Sequence, residues 1–373
     1  MRVLLVTGVY PPGQCGVGDY TEKLANALAN CQDIQVGVLT TAKQRCLDNS
    51  SVDLVYAVSR WTFSELPAIV GAIRQWRPDI INIQYPSQEF FSPSQGFFSR
   101  RMPSFMPLIF RLMGVPVVQT WHEPHHLKGA FHFLLLLLGG RSLIFVRGNY
   151  LALLPPLFRN LIKHYSHVVI PNASALPLSL LSEVQREEVR AKYLGRQRRL
   201  VTFFGFLHPN KGIELIFDIS NSLSDSLVIA GAIKDKVYMN KLIVSARAKG
   251  WGDDQLHFTD FLTPQNAADL LAVSDSVVLP FLDGGGDWNT SIHSALAQGT
   301  LVISTAIPAR GDEPKLNLYT AEPLDISDMR TALNRLAGRR AAPKPPDVQW
   351  HKIATDHMAF YHKRLGTDAR EKS

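Results

Sequence analysis

Short apolar runs alternate with helical patterns along the chain, and this alternation constrains the fold more than any other feature of the sequence. The apolar runs of the first half are MRVLLVTGV, IQVGVLT, DLVYAV, DIINIQY, VPVVQTW and HVVIPNA, with helical patterns such as YTEKLANALAN and SELPAIVGAIRQW between them. Apolar runs restart in the second half as LVTFFGF, SLVIAG, LHFTDF, SVVLPF and LVISTA. Such alternation predicts parallel sheets with crossover helices, so we expect doubly wound α/β domains.

The chain has 373 residues, which is enough for two domains of ordinary size. The apolar pattern is interrupted by a charged stretch, SEVQREEVRAKYLGRQRR, and later by a Pro-rich connector, RRAAPKPPDV. We therefore predict a Rossmann-like domain at 1–176, a linker at 177–199 and a second Rossmann-like domain at 200–342. The remainder, 343–373, is predicted to be a connector and an amphipathic helix, because the apolar residues of WHKIATDHMAFY recur at helical spacing.

Cysteine usage and the start of the chain both indicate the cytoplasm. The three cysteines, Cys15, Cys31 and Cys46, show neither metal-ligand spacing nor an evident pairing, which fits a reducing compartment. The apolar run that opens the chain is shorter than the core of a signal peptide and is interpreted as a buried strand. The longest apolar run, Phe133–Leu138, is far shorter than the roughly 20 residues that cross a bilayer.

Positive charge is concentrated in one region of the first half. Residues 90–165 carry eight basic side chains and a single acidic one, Glu123. Basic residues interleaved with segments such as SFMPLIFRLM and LLPPLFRNLI fit an amphipathic surface that faces anionic headgroups, and they fit equally well buried helices whose arginines reach the solvent. We retain an anionic membrane surface as a partner, which would place the protein peripherally on the inner face of the membrane. Nucleic acid is not expected, because no nucleic-acid motif accompanies the charge.

A glycine-rich turn lies between a predicted strand and a predicted helix in DGGGDWNTSIHSALAQGT, residues 283–300. The start of a helix presents unpaired N–H groups and partial positive charge, so an anion binds there readily. Thr290 or Ser291 is the expected N-cap, and Gly299 is the expected end of the helix. A capped helix that follows a flexible loop and binds nothing would have the same sequence.

A second glycine-containing turn, PPGQCGVGDYTEKL, follows the first predicted strand. It contains Gly16 and Gly18 but has Thr21 where a dinucleotide fingerprint has its third glycine. The turn is therefore weak evidence for any nucleotide, and a Rossmann oxidoreductase is disfavoured.

Several segments, in their order and spacing, resemble the retaining, nucleotide-sugar-dependent glycosyltransferases of the GT-B fold, in particular the large bacterial family 4. The segments that carry the resemblance are CGVGDYTEKLANAL, VPVVQTWHE, VVIPNAS, TFFGFLHPNKGIELIFD, LHFTDFLTPQNAADLLAVSDSVVLP, SALAQGTLVIST and the terminal WHKIATDHMAFY. The similarity is spread over nearly the whole chain.

The resemblance implies an α/β GT-B fold, in which two doubly wound Rossmann-like domains enclose an interdomain cleft and a C-terminal crossover helix packs back on the first domain. It also implies transfer of a hexosyl or related sugar, with retention, from a nucleoside diphosphate sugar to a glycan or lipid-linked glycan in cell-surface polysaccharide or glycoconjugate synthesis. GT-B enzymes typically need no metal, so we expect no cofactor. The density of histidines at His122, His125, His126 and His132 is compatible with a metal site, but acidic and thiolate partners are few.

Sugar transfer requires donors that neutralise the departing diphosphate as the anomeric carbon gains positive character. We assign this role to Lys211, to the amides and hydroxyls of Thr290 and Ser291, and to the amides of Gly16 and Val17 on the opposite wall. A solvated lysine in a strand-to-helix turn is the alternative for Lys211, and the flanking FFGFLHPNKG favours the functional role.

Strand VPVVQTW places His122 at its carboxyl end. The resemblance implies that His122 acts beside the acceptor and donor sugar, through hydrogen bonding more than as a base, because the leaving phosphate accepts the acceptor's proton. No pair of carboxylates is then required, unlike in glycosidases. Asp287, Trp288 and Asn289 are the residues expected to contact the sugar.

The resemblance also implies a nucleoside pocket around Gly231–Ile233 and Phe261–Leu262, which belong to the remaining substrate-binding candidates. For the apolar members of that pocket, core packing is an equal explanation, and Asp19 also fits a first-turn acid that balances a helix dipole. These candidates are Gly18, Asp19, Glu123, Asn172, Gly205, Gly231, Ala232, Ile233, Phe261, Leu262, Asp283, Gly285 and Gly286.

The sequence departs from the family pattern at three positions. Phe206 stands where the family usually has an arginine, and Gly286 and Ser294 stand where it commonly has two glutamates eight positions apart. Either the sugar contacts are rebuilt from neighbouring residues, or transfer is weak or lost. A catalytically quiet GT-B protein that binds glycan or partners, and a nucleotide-sugar epimerase of the same fold, are therefore kept as alternatives.

Overall fold

A computed structural model describes residues 1–41, 51–91, 101–124, 130–197, 199–233 and 235–371. The chain divides into two compact units. Unit 1 comprises Met1–Asn172 and Asp347–Ser373, and unit 2 comprises Ala173–Pro346.

Unit 1 contains a seven-stranded sheet with the strand order β3-β2-β1-β4-β5-β6-β7, and all of its pairings are parallel. Its central strands are buried on both faces, which explains their nearly continuous apolar sequences. The strands are β1 (Arg2–Val6), β2 (Gln35–Thr41), β3 (Val52–Val58), β4 (Ile80–Tyr85), β5 (Val117–Trp121), β6 (Ser142–Phe145) and β7 (Ser166–Val169). The first six helices are α1 (Gly16–Ala29), α2 (Leu66–Trp76), α3 (Met102–Leu112), α4 (Ala130–Gly139), α5 (Tyr150–Leu153) and α6 (Pro156–Ile162).

Strand β6 was not among the predicted strands. Its four residues, Ser142–Phe145, follow almost directly after the apolar helix α4, from which only Gly140 and Arg141 separate them. A short apolar run beside a longer apolar helix has no periodicity of its own, so the two could not be separated from sequence.

Helix α1 begins at Gly16, with Cys15 as its N-cap, so the predicted loop residues Gly16, Val17 and Gly18 lie in the first helical turn. A Cβ atom on Gly18 would lie 2.7 Å from the carbonyl oxygen of Val9. Glycine is therefore needed at position 18 because the helix start packs directly against the backbone that leaves β1.

Unit 2 contains a second seven-stranded sheet with the order β10-β9-β8-β11-β12-β14-β13. Its strands are β8 (Arg199–Phe204), β9 (Asp225–Ala230), β10 (Leu256–Asp260), β11 (Ser276–Leu279), β12 (Val302–Thr305), β13 (Gly311–Glu313) and β14 (Leu318–Ala321). Among the strand pairings that the structure describes in this sheet, only that of β13 with β14 is antiparallel. The helices are α7 (Glu183–Leu194), α8 (Ile216–Ile219), α9 (Lys236–Ala248), α10 (Pro264–Val273), α11 (Thr290–Ala297) and α12 (Ile326–Leu336), and α13 (Pro346–Glu371) then returns the chain to unit 1. The two short strands β13 and β14 were not predicted.

The segment 177–199, predicted as a linker, contains the ordered helix α7. Ser182 and Gln185 form a reciprocal capping box at its start. The Arg190 guanidinium lies 2.6 Å from the Asp275 carboxylate, and Arg186 donates to the carbonyl oxygen of Ala272. The charged stretch that was interpreted as a linker thus forms a helix that packs on unit 2, with some of its charged side chains bonded to unit 2.

Candidate functional site

The candidate site of unit 2 lies at the carboxyl edge of its sheet, where β8 and β11 are neighbours. From β8 the chain proceeds outward to β9 and β10, whereas from β11 it proceeds in the other direction to β12. Doubly wound sheets bind ligands at such a reversal, because the two diverging connections leave a crevice there. The loops after β8 and β11 carry most of the predicted donor residues.

The ends of β8 and β9 and the start of α11 meet closely at this edge because two glycines have no side chains. A Cβ on Gly205, whose φ is +147°, would lie 3.1 Å from the Ser291 hydroxyl oxygen. A Cβ on Gly231 would lie 1.8 Å from the Gly205 carbonyl oxygen. Gly205 also donates its N–H to the carbonyl oxygen of Ala230 at 3.0 Å. The structure therefore brings together the predicted residues Gly205, Gly231 and Ser291.

The predicted Lys211 lies in a 3-10 turn, Pro209–Lys211, that packs against the end of β11. Gly212 follows at φ +64°, and a Cβ there would lie 2.2 Å from the carbonyl oxygen of Pro280. The N–H of Leu282 donates to the carbonyl oxygen of Asn210 at 3.3 Å. The Lys211 ammonium lies 5.0 Å from the centre of the buried Phe281 ring. This contact holds a cation at the edge between β8 and β11.

The glycine-rich loop is held by its own backbone and by Asn289. The Asn289 side-chain oxygen accepts from the N–H of Gly286 at 2.9 Å, and Gly285 donates to the carbonyl oxygen of Thr305. Asn289 is the N-cap of α11 and Thr290 is its first residue, so the expectation of Thr290 or Ser291 as N-cap is wrong. Asparagine is as good an N-cap as serine, and here its side chain turns back to the loop.

The two positions where related sequences carry glutamates have different surroundings. Ser294 is fully buried, and its oxygen accepts from the Ser174 hydroxyl at 3.4 Å. A Cβ on Gly286 would lie 2.2 Å from the ring of Trp288. Position 286 is therefore covered by an aromatic ring, and Ser294 faces the protein interior.

Asp283 and Asp287 are both exposed. The backbone oxygen of Asp287 contacts Nε2 of His293 at 2.9 Å. Burial lowers the pKa of His293, while the Asp287 backbone and carboxylate oppose that change. A neutral His293 that donates to this carbonyl fixes the position of residue 287 in the loop.

Asp260 is a residue that the sequence analysis missed. Its Oδ1 atom accepts from the N–H groups of Ile233 at 3.1 Å and Phe261 at 2.8 Å, and its own φ is 57°. The carboxylate thus joins the loops after β9 and β10, which carry the predicted nucleoside pocket. Within that set Ala232 is buried and Phe261 is exposed, and Leu262 packs on the apolar core. An aspartate at the end of a strand was visible in LHFTDF, but its partners come from another loop.

The candidate site of unit 1 centres on His122, which directly follows β5. Its Nε2 atom lies 3.0 Å from Oε1 of the buried Gln84, and its ring meets that of Tyr20 edge-on at 4.8 Å. Burial lowers the pKa of His122 to about 3, so the imidazole is neutral at ordinary pH. With a carbonyl oxygen at Nε2, the proton lies on Nε2 and Nδ1 is an acceptor.

A buried polar chain on the far side of Tyr20 was also missed by the sequence analysis. The Tyr20 hydroxyl lies 3.0 Å from Nε2 of His357, and Nδ1 of His357 lies 3.0 Å from the Tyr361 hydroxyl. The Asn82 amide donates to Tyr361 at 2.6 Å, and Thr120 donates to the Asn82 oxygen at 3.0 Å. The chain links α1, β4, β5 and α13 behind His122.

The other unit 1 candidates lie near strand ends. Gly16 is exposed and Val17 and Asp19 are partly exposed in the first turn of α1. Glu123 is exposed beside His122, and its backbone oxygen accepts from the Tyr150 hydroxyl. Asn172 is the last residue of the first segment of unit 1.

The described residues show neither a cluster of metal ligands nor a membrane-spanning helix. They contain no group of three or more histidine, cysteine, aspartate or glutamate side chains placed to hold a metal ion. His125 and His126 lie outside the described residues, as do the basic residues Arg100 and Lys128 and the third cysteine, Cys46. None of the described helices has the length and apolar character needed to span a bilayer.

A family model described as Glycosyl transferases group 1 matches residues 198–339, which lie in unit 2. No curated protein sequence matches the chain.

Solved structures similar to the chain include sucrose-phosphate synthase from Thermosynechococcus elongatus, with a TM-score of 0.67, 15% identity, and coverage of 99% of this chain and 98% of that one. HepE from Anabaena in complex with UDP-glucose has a TM-score of 0.67 at 13% identity, covering 99% and 100%. The catalytic domain of starch synthase IV from Arabidopsis thaliana, bound to ADP and acarbose, has a TM-score of 0.67 at 13% identity, covering 98% and 99%. The predicted fold class, α/β with two Rossmann-like domains of GT-B type, is confirmed by these similarities and by the two sheets.

Proposed function

We propose that the chain is a glycosyltransferase that moves a sugar, with retention, from a nucleoside diphosphate sugar to a glycan or lipid-linked glycan. The family match falls on unit 2, which carries the proposed donor site. The similar structures of HepE and starch synthase IV hold UDP-glucose and ADP, which supports a nucleotide-sugar donor. The proposed role is cell-surface polysaccharide or glycoconjugate synthesis, at the cytoplasmic face of the membrane.

One observation carries this proposal: the meeting of Gly205, Gly231 and Ser291 at the reversal point of the sheet, on the same edge as Lys211. The backbones at Gly205 and Gly231 approach each other here more closely than side chains would permit, and the Ser291 hydroxyl lies close to Gly205. The start of α11 adds partial positive charge and the lysine adds a full one. An edge of this composition suits a diphosphate better than a neutral ligand.

In the proposed reaction, the bond between the anomeric carbon and the diphosphate oxygen breaks, and a bond to an acceptor hydroxyl oxygen forms on the same face of the sugar. Lys211 and the N–H groups of Thr290 and Ser291 stabilise the negative charge of the departing diphosphate. The acceptor's proton passes to the leaving phosphate oxygen. Neutral His122 holds a sugar hydroxyl through Nδ1, and Asp287, Trp288 and Asn289 contact the donor sugar. No metal is proposed.

The test is Lys211→Ala, with Lys241→Ala on the exposed face of α9 as the matched control. We expect kcat/KM with the cognate donor to fall by roughly 100- to 1,000-fold, as with removal of other charge-stabilising donors. Circular dichroism should show an unchanged fold. Unchanged turnover in Lys211→Ala would reject its role.

The donor is identified first by thermal shift of the wild-type protein with UDP, GDP, ADP and TDP and their sugars. A ligand at about 100 times its Kd adds about 2.7 kcal/mol to native stability. A nucleotide shift in the wild type that is weaker in Lys211→Ala would support a diphosphate site even before an acceptor is known.

A catalytically quiet binding protein is the second candidate, and Ser294 favours it. Its side chain is buried and hydrogen-bonded to Ser174, so position 294 offers no carboxylate to a ligand. Binding of nucleotide sugar without turnover or hydrolysis across a panel of glycan acceptors would favour this candidate. Interconversion of the sugar without an acceptor would indicate an epimerase instead.

A further inference from the structure

Helix α4 of unit 1 exposes leucines where an apolar helix should be covered. Its described residues Phe133–Gly139 are all apolar, yet Leu134 is 47% exposed and Leu138 is 58% exposed. These two residues are four positions apart, so they lie on one face of the helix. A helix that is apolar on all sides is normally buried on all sides.

Helix α6 repeats this pattern. Leu157 is 64% exposed and Leu161 is 38% exposed, again four residues apart, while Phe158 and Ile162 face the core. The Phe133 and Phe158 rings stack at 3.8 Å, which fixes α4 beside α6. The two exposed pairs of leucines therefore belong to one layer of helices.

Helix α3 also packs against α4. A Cβ on Gly139 would lie 2.2 Å from the backbone of Leu108, so the two helices touch. The Arg111 guanidinium donates to the carbonyl oxygen of Leu138 at 3.2 Å, and the neighbouring Leu112 is exposed. We call the outer surface of α3, α4 and α6 the leucine face.

The leucine face is bordered by cations. Within 101–170 the only acidic residue is Glu123. Arg111, Arg141 and Lys163 are exposed, and within the described part of the chain none of them pairs with a carboxylate. The charges of Arg141 and Arg111 both act on the Tyr165 hydroxyl, whose proton donates to the carbonyl oxygen of Leu137 in α4. Arg111 and Arg141 thus lie near the end of α4 that carries Leu138.

We propose that the leucine face docks on the surface of an anionic lipid bilayer, with its leucines at the boundary of headgroups and acyl chains and its cations on lipid phosphates. Exposed apolar side chains ringed by basic ones match both layers of such a surface. An acidic protein partner would pair with the cations, but it would not cover the exposed leucines, which do not line a groove. The inference rests on the proposed membrane-peripheral location, but it does not depend on sugar transfer.

The experiment is co-sedimentation of the full chain with vesicles of phosphatidylcholine, with and without phosphatidylglycerol, in the absence of any nucleotide or acceptor. We expect binding to the anionic vesicles that weakens with added NaCl, and little binding to the neutral ones. An absence of vesicle binding would not change the result of the transferase test with Lys211→Ala. Each proposal can therefore be rejected without rejecting the other.

Two pairs of variants identify the surface. The double variant Leu134→Gln with Leu138→Gln should weaken vesicle binding about tenfold or more, because it removes the favourable free energy of moving two leucine side chains from water into the bilayer. The matched control is Leu223→Gln with Leu324→Gln, which are 88% and 65% exposed in unit 2. Arg141→Gln with Lys163→Gln should reduce both the affinity for anionic vesicles and its salt dependence, whereas Lys236→Gln with Lys241→Gln on α9 should not.

Three results would overturn the proposal. The first is no binding to anionic vesicles at low salt. The second is equal loss of binding in the leucine variants and their control. The third is a dimer in lipid-free analytical ultracentrifugation that Leu134→Gln with Leu138→Gln converts to a monomer, since the face would then be an interface between copies. Circular dichroism melting of each variant excludes misfolding as the cause.

Discussion

His357 is fully buried in unit 1, and both of its nitrogens contact phenol hydroxyls. Burial lowers the pKa of His357 to about 3, and the neighbouring His122 acts in the same direction. Burial also raises the pKa values of Tyr20 and Tyr361, so the chain of groups is neutral. One nitrogen of a neutral imidazole donates and the other accepts, which lets His357 satisfy both hydroxyls without burying a charge.

This arrangement predicts a pH dependence of stability. In the unfolded chain the histidine pKa is 6.5, and in the folded chain the pKa values of His122 and His357 are about 3. Between these values the unfolded state binds more protons than the folded state. The two histidines therefore make their full contribution to the free energy of unfolding above pH 6.5, and this contribution is lost as the pH drops towards 3. Each histidine contributes a slope of up to about 1.4 kcal/mol per pH unit.

His357→Phe tests this dependence through urea unfolding at several pH values. The variant should be less stable at pH 7, because the hydroxyls of Tyr20 and Tyr361 lose their partner, by roughly 1–3 kcal/mol. Its loss of stability below pH 6.5 should nevertheless be shallower than that of the wild type. His362→Phe, exposed on the same helix, is the control. Parallel pH profiles for wild type and His357→Phe would contradict a neutral buried His357.

At the scale of elements, α7 shows how a helix with a charged sequence joins a core. Its side chains Val189, Tyr193 and Leu194 pack on the cluster around Leu200 and Val228, while Arg190 reaches Asp275. The start of the helix depends on the Ser182 and Gln185 capping box. A helix with so few buried residues is sensitive to the loss of its cap.

Ser182→Ala should therefore destabilise unit 2 by about 1 kcal/mol, the usual effect of removing an N-cap hydroxyl. Ser327→Ala, at an exposed position of the same unit, is the control and should change the free energy of unfolding little. The measurement is chemical denaturation followed by far-UV circular dichroism. An equal effect of the two substitutions would show that α7 does not need the capping box.

The elements that were predicted correctly are those whose burial leaves a clear apolar pattern in their own sequence. Strands such as β1 and β4 are buried on both faces, so their residues are apolar without interruption. Strand β6 follows an apolar helix almost directly, and β13 is a three-residue strand with only partly buried or exposed residues. Patterns of hydrophobicity cannot delimit such segments, because their pairing comes from a sheet assembled by distant parts of the chain.

The same distinction applies to the candidate sites. Ser291 was predicted because the start of a helix after a glycine turn has a local signature, whereas Gly205 and Gly231 came from the family resemblance of their segments. The structure brings the three residues together. Asp260 and His357 could not be assigned a role, since each has a partner that is distant in the sequence. Ile233 lies 27 residues from Asp260, and Tyr20 lies 337 residues from His357. A polar residue whose partner comes from a distant element has no pattern in the sequence around it.

At the scale of the whole molecule, unit 1 is discontinuous and unit 2 is a single stretch of chain. Unit 1 needs α13 because that helix buries Trp350, Ile353, Phe360 and Tyr361, and Tyr361 also accepts from Asn82. Burying four side chains of this size contributes roughly 6–12 kcal/mol. That contribution is comparable to the entire stability of an ordinary domain, about 5–15 kcal/mol.

A chain that ends at Pro346 should therefore unfold unit 1 and leave unit 2 folded. Calorimetry of the truncated chain should show only the transition that isolated residues 173–346 also show, because every strand of the second sheet lies within that stretch. Tyr361→Phe is the finer control: it keeps the buried ring but removes the hydroxyl shared by Asn82 and His357, so it should weaken the unit 1 transition without abolishing it. If the truncated chain instead keeps both transitions, the first sheet is stable without α13, and the polar chain from Asn82 to Tyr20 is not what completes unit 1.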